Sequence, residues 1–172
     1  DATAAGATAA KELIALGLEN FAFVGMGGRD WSRRRADAFA AALHMNGKVL
    51  SLLDVQSVGK DNKRLQTWLD GLSKPCRLFA ASDAIAATVL SVCRSSGIAV
   101  PDDISIVGVD DNVELCESTS PTISSIHPDF RQGGRLAARL LARKLTRTGE
   151  VPQTTVFTIP GIVRRGSTRR TK

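Results

Sequence analysis

Two rhythms of apolar residues alternate along the chain. Nearly unbroken apolar runs read as buried strands: Phe21-Ala22-Phe23-Val24-Gly25, then 49–53, 77–81, Ile104-Ser105-Ile106-Val107-Gly108-Val109 and 122–126. Between them, apolar side chains return at helical spacing. That spacing predicts a helix over 4–17, one over 32–45 with Ala36, Phe39, Ala40 and Leu43 on one face, and one over 61–72 with Leu65, Trp68, Leu69 and Leu72 on one face. A fourth helix runs to about 95, with Ser82 or Asp83 as its cap. A fifth covers about 130–145, and two short β segments are expected at 155–159 and 162–164. Gly17, Asn46-Gly47 and Gly97 supply the stops.

Strands that are apolar on both faces and separated by helices predict an α/β chain. The architecture expected is a three-layer parallel sheet with helices on both faces. Ligands of such sheets bind beyond the carboxyl ends of the strands. That rule selects residues 25–35, Ser82-Asp83 and 110–112, and it predicts all three loops on one edge of the sheet. Asp102 and Asp103, after Pro101, fall at the opposite end and read as turn residues.

Composition narrows the classes. The chain has 172 residues, 43% of them hydrophobic, and a formal net charge of +6. That length suits one domain, and that apolar content excludes a disordered tail. No apolar run approaches the roughly 18 residues of a membrane span, so no membrane partner is expected. No leader segment is visible at the start. The charge is uneven: residues 1–130 carry a net −4 and residues 131–172 a net +10. A row of Arg131, Arg135 and Arg139 is expected to face solvent or a neighbouring subunit, and Arg164, Arg165, Arg169, Arg170 and Lys172 read as a basic tail. This distribution argues against a DNA-binding surface across the whole domain. Cys76, Cys93 and Cys116 are odd in number and form no C-x-x-C, which argues against a disulfide scaffold or zinc site and fits a reducing, cytoplasmic setting. All three are expected as buried spectators. His44 is expected to be exposed, and His127 structural or hinge-lining.

The selected loops carry the candidate chemistry. Gly25-Met26-Gly27-Gly28-Arg29-Asp30 has Asp where a G-x-G-x-x-G phosphate loop needs its third glycine, so the glycines read as a flexible loop feeding a helix. Successive helical residues point about 100° apart, so of Arg33, Arg34 and Arg35 only one or two can face the sheet edge. Trp31 fits either a core position or a stacking platform. Asp110 and Asp111 directly follow a buried strand; one suits a helix cap, which leaves the other as a ligand acceptor. A carboxylate that accepts two hydroxyl protons, beside a bidentate Arg and an aromatic face, makes a sugar site. No histidine sits at a strand end of this kind, and neither catalysis, a metal nor a cofactor is expected.

Three stretches carry a family resemblance. They are Ser82-Asp83 opening a helix, Val100-Pro101-Asp102-Asp103-Ile104-Ser105-Ile106-Val107-Gly108-Val109-Asp110-Asp111, and Arg164-Arg165-Gly166-Ser167-Thr168. They resemble the effector-binding core of the lac and galactose repressor family, which is similar to periplasmic sugar-binding proteins. Ser120-Pro121-Thr122-Ile123-Ser124-Ser125-Ile126 with Gly134 and Ala137 agrees with the crossover that follows, and Asp1, Gly6, Ala10 and Gly17 with the entry into the second subdomain. Trp31 with Arg35 and Ala38-Phe39, and Ser125-Ile126-His127-Pro128, look most like the sugar-sensing half of xylose operon regulators.

The resemblance implies a periplasmic-binding-protein-like fold, mainly its second subdomain. Residues 1–168 would form an effector-binding fragment with a crossover helix at 130–147, and 169–172 a basic tail or linker. It implies that Arg35 grips sugar hydroxyls, that Asp110 accepts them, that Trp31 stacks, and that Ser82 stands where the family often has a ligand-binding Asn. Pro128 replaces a frequent ligand Gln, and Asp83 matches a capping aspartate. The function implied is the ligand-sensing domain of a sugar-responsive transcription regulator. Its ligand would be a small sugar, with a pentose such as xylose favoured. A homodimer is expected, with DNA contacted only through a domain outside this chain. The first subdomain would be absent, leaving Ala137, Leu140, Leu141 and Leu145 of the crossover helix in need of a partner. The alternative is a periplasmic sugar-binding protein of a transporter, which shares the fold; a third class is an α/β enzyme with a nucleotide cofactor.

Overall fold

The computed structural model describes residues 1–17, 19–146, 152, 155–157, 159 and 161–168. Its elements are α1 (Ala2–Ile14), β1 (Asn20–Met26), α2 (Asp30–Met45), β2 (Leu50–Val55), α3 (Asn62–Asp70), β3 (Cys76–Ala80) and α4 (Asp83–Ser95). Then come β4 (Ile104–Val109), α5 (Val113–Glu117), β5 (Ser124–His127), α6 (Phe130–Thr146), β6 (Gly161–Val163) and a 3-10 turn (Gly166–Thr168). The strands lie in the order β2-β1-β3-β4-β5-β6. The first five are parallel, and β6 closes the sheet antiparallel to β5. β3 and β4 are buried throughout; their runs are apolar except for Arg77 and Ser105, which bond to each other.

Each face of the sheet has its own cover. Phe23 of β1 and Phe79 of β3 are register neighbours and share a face. Phe39 of α2 packs onto both, with ring centroids 6.4 and 5.1 Å away, and all three rings are fully buried. Burying a side chain of this size stabilises by about 1.5–3 kcal/mol. Val24, one residue along, points to the other face, where Leu65 of α3 and Ile85 of α4 meet it around a small cavity. α1 lies against α2 through Ala5, Gly6, Ala9, Ala10 and Leu13. A Cβ on Gly6 would stand 2.3 Å from the carbonyl oxygen of Arg35 and 3.0 Å from Ala38 Cβ. That near approach lets α1 lie close against the stretch of α2 that carries Arg35.

Several expectations change. α5 was not anticipated. Thr155, Val156, Phe157 and Ile159 belong to no strand, and Thr158 lies outside the described residues. Phe157 instead packs on α6: its ring centroid is 6.1 Å from that of Phe130, and it occupies the space that a Cβ on Gly133 would need. Arg164 and Arg165 are not tail. Arg164 pairs with Glu12 of α1, and the Arg165 side chain is only 9% exposed. Arg169, Arg170 and Lys172 lie outside the described residues. On α6, Arg131, Arg135 and Arg139 are exposed as expected, and the apolar Leu141 and Leu145 stand 58% and 75% exposed.

Candidate functional site

The loop after β1 turns tightly before α2. Ser32, in the first turn of α2, accepts a hydrogen bond from Met26 N–H at 2.8 Å. Gly25 has no room for a side chain, because a Cβ would fall 2.3 Å from Asp54 Oδ1. Asp54 beside the loop and Asp30 in the first helical turn put two carboxylates where a phosphate loop would hold an anion.

α2 then divides its three arginines as the helical angle requires. Arg33 and Arg34 face solvent and pair with Asp30 and Asp37. Arg35 turns inward across the sheet edge, 13% exposed. It donates to the carbonyl of Ala81, just past β3, and its Nη2 lies 3.4 Å from Asp110 Oδ1, just past β4. Its guanidinium carbon sits 5.1 Å from the Trp31 ring centroid. Trp31 is half-buried and packs against the core as well, which fits the core position expected of it. Loops after β1, β3 and β4 therefore meet at one edge.

Arg35 is largely buried and Asp110 partly so, for so loose a contact. Burial pulls the Arg35 guanidinium below its ordinary value and pushes the Asp110 carboxyl above the usual carboxylate range, each against the opposing effect of the other's charge. Arg35 Nε is buried with no hydrogen-bond partner among the described residues, and the Asp110 side chain is 41% exposed. The edge holds donors and acceptors in surplus, which suits a polar, uncharged ligand with several hydroxyls.

Ser82 supplies the N-cap of α4, accepting from Ile85 N–H at 3.3 Å. Asp83 is not the cap. It is buried, accepts from the Ser125 hydroxyl at 2.6 Å and from Asn112 N–H at 2.8 Å, and so ties α4 to the loop after β4. Burial raises its carboxyl above the usual range. Neither neighbouring aspartate caps α5; Asn112 does, accepting from Leu115 N–H at 3.1 Å. Asp110 and Asp111 both take positive φ, +109° and +48°. Such backbone costs of order 1–3 kcal/mol per non-glycine residue and needs surroundings that enforce it.

Asp111, read with Asp110 as a pair of cap and acceptor, does not serve as a cap and turns inward. Its side chain, 8% exposed, pairs with Arg165 Nη2 at 2.8 Å and lies 3.1 Å from His127 Nδ1. His127 is thus half-exposed beside Asp111, and His44 is exposed. The three cysteines are buried and free; burial pushes Cys76 up to about 11 and Cys93 and Cys116 up to about 12.

Residues 10–168 match a family model described as a periplasmic binding protein-like domain. The chain is 34% identical over 155 residues to the xylose operon regulatory protein of Haemophilus influenzae, covering 85% of this chain and 39% of that protein. A solved xylose-binding transcription activator superposes with a TM-score of 0.90 at 27% identity, over 99% of this chain and 47% of the other. A transcriptional regulator solved with cellobiose gives 0.84 at 26% identity, over 97% and 52%. This chain spans about two fifths of the length of the curated xylose regulators that it matches.

Proposed function

The chain belongs to the family of periplasmic binding protein-like domains, and from that premise we propose that it is the ligand-sensing domain of a sugar-responsive transcription regulator. The observation that carries the proposal is the desolvated Arg35–Asp110 edge, with its unpartnered Nε and half-open carboxylate. Asp110 accepts two sugar hydroxyls, Arg35 donates to ring or hydroxyl oxygens, and Trp31 offers an apolar face to C–H groups. Ser82 adds its remaining hydroxyl proton. A pentose is the favoured ligand, supported by the likeness to xylose regulators. No bond is made or broken; sugar works by binding one arrangement of the whole protein better than another. DNA is contacted through a domain outside this chain, the protein is cytoplasmic, and it acts as a homodimer. The exposed Leu141 and Leu145 of α6 support that last part.

Calorimetry with D-xylose tests the site. Hydrogen bonds to a charged group are worth about 1.5–3 kcal/mol, so Arg35→Ala and Asp110→Ala should each weaken binding by about ten- to a hundredfold in a chain that still folds and unfolds cooperatively. Unchanged affinity in both variants overturns the assignment. A transporter's sugar receptor would share this edge; the regulatory relatives and the three unpaired thiols favour the regulator.

A further inference from the structure

Asp110 can serve a ligand only if its backbone holds a conformation that aspartate avoids. The chain supports that backbone through residue 111 and its neighbours. Asp110 N–H donates to the carbonyl of Ile126 at 3.0 Å, and Asp111 N–H to Ser125 Oγ at 3.0 Å. Asp83 fixes the next amide, that of Asn112. The side-chain anchor is the ion pair from Asp111 to Arg165. Arg165 is itself held on three other sides. It donates to Glu117, donates through Nη1 to the carbonyl of Ile123 at 3.1 Å, and its backbone N–H reaches Ser124 Oγ at 2.8 Å. Beyond it, Ser167 Oγ donates to the carbonyl of Ile106 in β4 at 2.6 Å and accepts from Ser124 N–H at 2.9 Å. The segment after β6 is thus bolted to the two strands that carry the loop.

We propose that Arg165 is a positioning residue for sugar binding: through Asp111 it clamps the backbone that aims the Asp110 carboxylate at the ligand edge. It rests on the sugar-site assignment above, and it extends the site to a residue that does not face the ligand edge. Arg165 suits the task because its guanidinium reaches Asp111, Glu117 and the Ile123 carbonyl at once through three different nitrogens, which the single ammonium of Lys cannot. The clamp also couples the ligand edge to the 3-10 turn at Gly166–Thr168, since one residue separates Arg165 from Ser167.

The test measures D-xylose affinity by calorimetry and amide exchange by NMR on the same samples. Arg165→Gln and Asp111→Asn should each weaken binding about tenfold, and the double variant should lose no more than either alone, because both cut one link. In the absence of sugar, exchange at 110–112 should quicken at least about tenfold while β3 amides stay slow. Should Arg165→Gln fail to fold, Asp111→Asn carries the test, since Asn keeps the shape and tolerates positive φ. Affinity and exchange at 110–112 both unchanged, whatever happens to overall stability, overturn the proposal. A parent chain that binds no pentose defeats the sugar assignment instead, and exchange at 110–112 then decides the positioning role by itself.

Discussion

Gly108 sits in β4 directly beneath the start of α4, and an added methyl there has nowhere to go. The Cβ of an alanine would fall 2.2 Å from Asp83 Oδ1, against 3.2 Å from Asp83 Cα and 3.3 Å from Ala86 Cβ. Ordinary contact lies about 1 Å beyond the first distance, so the carboxylate must retreat by about that much. Retreat breaks the 2.6 Å bond from Ser125 and strains the 2.8 Å bond from Asn112 N–H. Overpacking costs about 1–3 kcal/mol and a lost bond to a buried charge about 1.5–3 kcal/mol. Taken together, Gly108→Ala should destabilise by about 3 kcal/mol. In an Asp83→Ala background the offending oxygen is gone, and only the two contacts above 3 Å remain. There the same methyl should cost less than about 1 kcal/mol. Urea unfolding followed by the fluorescence of Trp31 and Trp68 measures all four proteins, with an unchanged slope confirming a common unfolded state. The expected coupling is about 2 kcal/mol, well outside the roughly 0.3–0.5 kcal/mol scatter of independent sites. Equal cost of Gly108→Ala in both backgrounds refutes the view that Asp83 is the packed, charged link between α4 and the ligand edge.

Two further predictions follow from the same edge. The proposed site uses the ionised Asp110, whose pKa is raised by burial, so sugar affinity should be flat at neutral pH and fall on acidification, with an onset above the ordinary Asp value of about 3.9. Asp110→Asn should bind weakly with no such slope, and calorimetry from neutral to acid pH checks both. For stability the sign is opposite: the folded chain holds that proton more readily than the unfolded one, so acidification through the raised range favours the fold as far as this group is concerned. Ser82→Ala should lose about 1 kcal/mol of stability through its cap and no more than several-fold in sugar affinity, because its oxygen already serves Ile85. An unchanged urea midpoint in that variant contradicts the cap.

Much of this was legible in the residues. The buried parallel strands follow from Phe21-Ala22-Phe23-Val24 and Ile104-Ser105-Ile106-Val107, and the strand-end rule brought Arg35 and Asp110 to one edge before any contact was seen. α5 escaped because Val113–Glu117 is too short to show a helical period. The shared claim on a cap at Ser82-Asp83 went to the serine because the aspartate faces Ser125, a partner 42 positions away that no local pattern announces. Arg165 read as tail for the same reason. Its charge was visible, but its carboxylate lies 54 positions earlier, and only the sheet order brings the two together. The extra strand predicted at 155–159 failed because Phe157 is spent on Phe130 and Gly133 of α6, leaving three-residue β6 to pair with β5.

The bolting of the last described segment to β4 and β5 has a consequence for biosynthesis. β1, β3 and β4 can pair as soon as residue 109 is available, but the loop after β4 lacks its anchor until residue 165 arrives. At about 5–20 residues per second, translation needs roughly 3–11 s to supply the intervening stretch. During that interval the nascent chain carries a formed sheet with an unset ligand edge. On the proposal that Arg165 clamps this loop, the sheet frame is therefore in place before the proposed ligand edge is set, and the clasp is the last part of it to be translated.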